Sequence, residues 1–116
     1  MQLDARKYLF DIQQEVQLLD EFTDGVSFPN YQANALLRSA VERQFEIVGE
    51  AMSRLASLDS QVAEHITDHR RIIAFRNILI HGYAEVDNRI VWGVLTGNLP
   101  QLRAEVDALL GVGEGE

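Results

Sequence analysis

Arg76 and His81 are the residues of this 116-residue chain best suited to chemistry on a phosphodiester, and they stand at the ends of the string RNILIH. An arginine guanidinium is permanently charged and can hold a phosphate through two parallel hydrogen bonds, while a histidine can exchange a proton near neutral pH. Ribose offers its own 2′-hydroxyl as the nucleophile. This residue pair therefore suits RNA cleavage that requires no metal ion.

The spacing of the pair also fits a simpler interpretation. Five residues turn an ideal helix by about 500°, which leaves Arg76 and His81 about 140° apart around its axis. They do not share one face, so a second copy across a symmetric dimer would have to complete a site. An arginine and a histidine near a helix end are otherwise most often a surface charge and a cap to the last carbonyl groups. Spacing alone favours this second interpretation.

Hydrophobic periodicity predicts the helices that would carry these residues. Residues 3–22 form one apolar stripe, and a segment that starts at Ser27 and Pro29 runs to about residue 58 with two apolar stripes side by side. The stripe of the first helix is Ala5, Leu9, Ile12, Val16 and Leu19. Because Pro29 is tolerated only in the first turn, we expect Ser27 to cap the second helix.

The second half of the chain predicts two further long helices. One begins near Asp68 or His69 and ends at His81, with Gly82 as a left-handed stop. The last begins near residue 87 or 88, and Pro100 should bend or split it near Thr96. No strand pattern is visible. We therefore expect an all-α, four- to five-helix bundle over residues 1–111, followed by a flexible acidic tail over 112–116.

Composition limits the class of protein. The absence of cysteine excludes a disulfide scaffold and a cysteine zinc site, and no apolar run predicts a signal peptide or a membrane span, so we expect a cytoplasmic protein. A net charge of −8 argues against nucleic acid as a partner. Residues 65–81 are a local exception, because they hold Arg70, Arg71 and Arg76 against a single acid, Asp68.

The motif resembles the HEPN superfamily and, more closely, its HepT-like branch, in which the pattern is Arg, four residues, His, any residue, Tyr. Arg76, His81 and Tyr83 fit it. Residues 43–51 are similar to the second-helix signature of the branch, and the similarity continues in order over about residues 3–110. The match is therefore more specific than the short motif. Further similar segments are 75–83, 86–87, 90–92, and 99–100 together with Leu102.

The resemblance implies a HEPN-like symmetric homodimer in which two motif copies line one cleft. It implies a metal-independent endoribonuclease, the toxin of a toxin–antitoxin pair, with an RNA substrate and no cofactor. Arg76 would stabilise the phosphate, His81 would act as general acid or base, and Asn77 would orient the site. Tyr83 would accept AMP from a minimal, MntA-like nucleotidyltransferase antitoxin, which would silence the toxin.

Several charged residues near the motif have two interpretations each. Glu46 would hold Arg76 in place or belong to a solvated acidic face, and these are evenly balanced; for Glu50 we favour the solvated face, paired with Arg54. Arg43, Arg70 and Arg71 would contact RNA phosphates or remain solvated. His65 and His69 have a spacing that could hold a metal ion, but we favour polar residues at a helix start and expect no metal site.

An alternative function from another class fits the acidic composition. The chain could be a non-catalytic helical dimerisation or nucleotide-binding module that partners a nucleotidyltransferase, with the motif serving for docking or modification. Cleavage of RNA by the purified protein in chelator separates this function from that of a toxin.

Overall fold

The chain folds into a helical bundle, as the computed structural model shows for residues 1–82 and 86–114. The described residues contain no strand, which confirms the all-α prediction. A π-helical segment, Val94–Asn98, joins the last two helices. The α-helices are α1 (Leu3–Thr23), α2 (Phe28–Ala33), α3 (Ala35–Leu58), α4 (Ser60–Ala63), α5 (His69–His81), α6 (Asn88–Gly93) and α7 (Leu99–Glu114).

The core lies between α1, α3 and α7. Helix α1 packs against both of the others, and α3 packs on its other side against α5. The five residues of the predicted α1 stripe are its buried residues, so that prediction is confirmed. No described helix combines the length and the apolar character needed to span a membrane.

The predicted single helix over residues 27–58 is interrupted at Asn34. Its side-chain oxygen accepts a hydrogen bond from the backbone N–H of Leu37 at 3.0 Å and thereby caps α3. Ser27 caps the short helix α2 in the same way, through the N–H of Asn30. The prediction of one continuous helix was wrong. An asparagine side chain can accept a hydrogen bond from a free backbone N–H of the next helix, which allows a new helix to start at Asn34.

Helix α5 spans the predicted residues, His69–His81, but the residues that flank it adopt different conformations from those expected. Asp68 precedes it with a left-handed φ of 57° and makes no side-chain cap. Gly82 is right-handed, with φ −82° and ψ −16°, so its assignment as a left-handed stop was wrong. The Gly82 N–H donates to the carbonyl oxygen of Ile78 at 2.7 Å, and a Cβ at Gly82 would lie 2.4 Å from that oxygen. Glycine is needed here for space.

The last helical stretch continues without a gap and changes to a π-helical segment around Thr96, where Pro100 predicts a bend or a split. Asp87 caps α6 through the N–H of Arg89. The π-helical segment ends at Asn98, and α7 starts with Leu99 and Pro100 in its first turn, where a proline needs no hydrogen-bond partner for its nitrogen. Helix α7 continues to Glu114, three residues beyond the predicted end of the domain.

Candidate active site

Arg76 lies where α5 and α3 approach closely. A Cβ built on Gly49 would lie 2.3 Å from the Cβ of Arg76, which is too short for two non-bonded carbon atoms. Because Gly49 has no side chain, the stem of Arg76 packs directly against α3. The Arg76 side chain retains 28% exposure while its Nε atom is buried. This contact fixes where along α3 the guanidinium can reach.

Glu50 and Asn77 then orient the Arg76 guanidinium. Arg76 Nη2 lies 2.8 Å from Glu50 Oε2, and Arg76 Nη1 donates to Asn77 Oδ1 at 3.1 Å. Each Nη nitrogen carries two hydrogens, so each keeps one N–H after these bonds. An arginine held by a carboxylate in this way is pre-organised to receive a phosphate oxygen.

The carboxylate that pairs with Arg76 is Glu50, for which we favoured the solvated face, and not Glu46, whose two interpretations were evenly balanced. Glu46 instead pairs with Arg43, one turn away on the same helix, at 3.3 Å. Glu50 also lies 2.9 Å from Arg54 Nε, so the predicted Glu50 and Arg54 pair is present as well. One carboxylate therefore holds two arginines.

His81 is the last residue of α5 and is exposed. Among the described residues, its side chain has no hydrogen-bond or ion-pair partner. Along an α-helix, five residues advance about 7.5 Å and leave two side chains about 140° apart, so one chain does not direct Arg76 and His81 to one point. The imidazole is accessible to solvent and to any molecule bound at the end of α5.

Tyr83, the third residue of the motif, lies outside the described residues. Its predicted modification stays a prediction. The described residues on either side of it are Gly82, which closes α5, and Val86, which precedes α6.

The other candidate residues lie farther from the motif. Arg70 and Arg71 are exposed in the first turn of α5, about one and a half turns from Arg76 and about three turns from His81, and Arg70 lies 3.6 Å from Glu64. His69 is buried at 9% exposure, whereas His65 is exposed with Nδ1 2.8 Å from the Gln61 carbonyl oxygen. No group of three metal-ligating side chains occurs among the described residues.

An apolar groove of about 390 Å³ lies beside α5, between it and the start of α7. Phe75 and Ile78 of α5 form one side, and Ile78 is 55% exposed. Leu99 and Leu102 of α7 form the other, with Arg71 and Glu105 among the lining residues. Helix α5 thus leaves an apolar surface uncovered next to its motif.

Two residues of the site were missed by sequence reasoning. Gly49 lets the Arg76 side chain pack directly against α3, and Arg54 binds the same Glu50 carboxylate as Arg76 does. A signal for Gly49 was present, because a glycine in the middle of a 24-residue helix weakens that helix and often marks a close approach of another backbone. No comparable signal singled out Arg54, whose spacing from Glu50 is that of an ordinary surface pair.

Comparison with known families decides what kind of protein carries this site. The profile of the family described as "Ribonuclease HepT-like" matches residues 12–109. The chain belongs to the HepT-like ribonuclease family. Arg76, His81 and Tyr83 all fall within the matched part of this HepT-like chain, and the resemblance seen in its sequence is confirmed.

Individual relatives of this HepT-like chain have ribonuclease names. A protein of Thermococcus cleftensis named "Probable ribonuclease HepT" is 29% identical, over 94% of this chain and 98% of the relative. One of Methanocaldococcus jannaschii named "Putative RNase MJ1380" is 31% identical, over 90% and 94% respectively. A third, "Putative RNase TTE0752" of Caldanaerobacter subterraneus, is 32% identical, over 90% and 93%. No solved structure matches this HepT-like chain.

Proposed function

We propose that this chain is a metal-independent endoribonuclease that acts as the toxin of a cytoplasmic toxin–antitoxin pair. The observation that carries the proposal is the Arg76 guanidinium, fixed by Gly49, Glu50 and Asn77 on the helix that ends in an exposed His81. Membership of a ribonuclease family supports RNA as the substrate.

The working unit is a symmetric homodimer. Because Arg76 and His81 are about 140° apart around one helix, two copies facing each other allow the arginine of one motif to approach the histidine of the other. The apolar groove beside α5 supports this arrangement, since an uncovered apolar surface next to a site is typical of an interface.

The cleavage step uses groups that the dimer supplies. One His81 accepts the proton of the ribose 2′-hydroxyl while the 2′-oxygen forms a bond to phosphorus. The bond between phosphorus and the 5′-oxygen breaks, and the leaving oxygen takes a proton from the His81 of the second copy. Arg76 stabilises the additional negative charge on the phosphoryl oxygens. The products are a 2′,3′-cyclic phosphate and a 5′-hydroxyl end.

RNA cleavage in the presence of EDTA tests this function. We expect the purified protein to cut single-stranded RNA under these conditions and to leave cyclic phosphate ends, which mass spectrometry detects. RNA with 2′-deoxyribose at the cut position should stay intact because it lacks the nucleophile. Cleavage of the deoxy substrate, or cleavage only when a divalent metal is added, would contradict the mechanism. Binding without any cleavage would favour the non-catalytic module.

Silencing by AMP transfer is the second part of the proposal. The Tyr83 hydroxyl forms a bond to the α-phosphorus of ATP, and pyrophosphate leaves. Co-expression with a minimal, MntA-like nucleotidyltransferase should add the mass of one or more AMP groups to the peptide that contains Tyr83 and abolish cleavage. Tyr83→Phe should stay unmodified and active. A parent chain that remains unmodified with an active transferase and ATP would exclude this form of silencing.

A further inference from the structure

Glu50 joins two arginines into one cationic unit. Its Oε1 atom lies 2.9 Å from Arg54 Nε, and its Oε2 atom lies 2.8 Å from Arg76 Nη2. Two positive charges around one negative charge leave a net charge of +1 on a protein whose total is −8. The carboxylate thus holds the two guanidinium groups near each other without neutralising both.

Arg54 is the more accessible of the two arginines. Its side chain is 61% exposed, compared with 28% for Arg76. Arg54 is charged at neutral pH, as any arginine is, and the Glu50 carboxylate and, to a lesser extent, the Tyr8 hydroxyl raise its pKa further. Glu50 binds its Nε, so Nη hydrogens remain for an anion.

A shallow groove of about 400 Å³ lies at Arg54, between the start of α1 and the end of α3. Hydroxyl groups line it together with the guanidinium, a combination of donors that suits a phosphate oxygen. Ser53, Arg54 and Ser57 follow Glu50 at helical spacing on one face of α3. The lining residues are Asp4, Tyr8, Ser53, Arg54, Ser57 and Leu58.

A second cation lies beside the groove. Lys7 Nζ is 5.6 Å from the centre of the Tyr8 ring, and Tyr8 is one of the lining residues. Asp4 supplies the single carboxylate of the lining. Each of these two cations has an acidic partner outside the lining, because Lys7 Nζ lies 4.0 Å from Asp11 and Arg54 Nε lies 2.9 Å from Glu50.

We propose that Arg54 is a second phosphate-binding arginine, and that the groove holds an RNA backbone phosphate next to the one cleaved at Arg76. This inference rests on the proposed ribonuclease function and adds the direction in which the strand leaves the site. The strand passes from Arg76 across Glu50 to Arg54 and on toward Ser57. Since the groove offers donors for phosphate and no pocket for a base, it contributes affinity without sequence preference.

Binding of uncleavable RNA tests the proposal. The probe is a series of 2′-O-methyl RNA oligomers of increasing length, which cannot be cut because the nucleophile is blocked. In the parent, lengthening the oligomer past the scissile phosphate should tighten binding, and Arg54→Ala should weaken binding of the longer oligomers about tenfold. The slope of log affinity against log salt should fall in magnitude by about 0.7. With cleavable RNA, Arg54→Ala should raise KM and leave kcat near the parent value.

Arg103→Ala is the matched control. Arg103 is also partly exposed and is paired with a carboxylate, Asp20. Asp20 lies about three turns along α1 from Tyr8, so Arg103 is far from the groove at Arg54. The Arg103→Ala variant removes the same charge and should leave oligomer binding near the parent value. If Arg54→Ala and Arg103→Ala weaken binding equally, or neither does, the groove does not hold the strand and Arg54 is a surface pair only.

Glu50→Ala gives a test in which electrostatics and positioning predict opposite results. Removal of a negative charge should by itself tighten RNA binding. If Glu50 positions both arginines, Glu50→Ala should instead weaken binding of the long oligomers and lower kcat, while Glu46→Ala should do neither. Tighter RNA binding by Glu50→Ala would show that Glu50 does not position Arg54 and Arg76. A parent that binds with the expected length dependence but cuts no RNA would overturn the ribonuclease proposal and retain the phosphate site.

Discussion

His81→Ala is expected to lower RNA cleavage by about two to four orders of magnitude, which is the range lost with a general acid or base. Arg76→Ala should lower it by about 10²- to 10³-fold through lost stabilisation of the phosphoryl charge. Arg76→Lys should recover only part of this loss, because an ammonium group lacks the planar fork that pairs with both Glu50 and a phosphate. Initial rates on a labelled RNA in EDTA, and growth inhibition on expression, measure both effects.

His65→Ala is the control for the loss of an imidazole. His65 is exposed and contacts the Gln61 carbonyl oxygen, so its removal changes the histidine content without touching α5. Since His81 is exposed as well, His81→Ala should unfold at the same temperature as the parent. If His81→Ala cuts RNA as fast as His65→Ala does, His81 has no part in the reaction.

Gly49→Ala is expected to reduce both stability and activity. The new Cβ would lie 2.3 Å from the Cβ of Arg76, and neither atom can turn away because both are fixed by their backbones. Helix α5 must therefore shift away from α3, at a cost of about 1 to 3 kcal/mol. The same shift moves the guanidinium away from Glu50, so kcat should fall as well. Urea unfolding and cleavage rates measure the two effects.

Gly93→Ala is the matched control. Gly93 ends α6, and a Cβ there would meet no atom within 4 Å. Alanine should be neutral or stabilise the protein by about 0.5 to 1 kcal/mol, since glycine is the poorer helix former. Because alanine at position 76 keeps its Cβ, Gly49→Ala should still destabilise an Arg76→Ala background. If Gly49→Ala is as stable and active as Gly93→Ala, the close approach does not position Arg76.

The core of α1 and the helical class could be predicted from the sequence because they depend on local periodicity. All five residues of the α1 stripe are buried, since their spacing alone determines which face is apolar. The break at Asn34 could not be predicted. The free energy of a helix that continues through this asparagine differs little from that of one that restarts with the asparagine as its cap. The right-handed conformation of Gly82 was also missed. A glycine after a helix can be required by a positive φ or by lack of space, and here the Ile78 carbonyl oxygen leaves no room for a Cβ.

The partner of Arg76 could not be assigned from sequence. Glu46 and Glu50 are one turn apart on the same face of α3, so helical spacing treats them alike. The choice between them depends on how far α5 is displaced along α3, and the contact of Gly49 with Arg76 fixes that displacement. Tertiary register is a property of two helices together.

The bundle restrains α5 less than its other long helices. Helix α5 buries only His69 and Leu79, whereas α3 buries seven residues, and the groove between α5 and α7 stays open. A segment with few buried contacts opens at a lower free energy than the whole domain and exchanges its backbone amide hydrogens sooner. Among the long helices, we therefore expect α5, which carries Arg76 and His81, to open at the lowest free energy. Because neither Arg76 nor His81 lines the groove, we expect a molecule that fills it to stabilise α5 without contacting either residue.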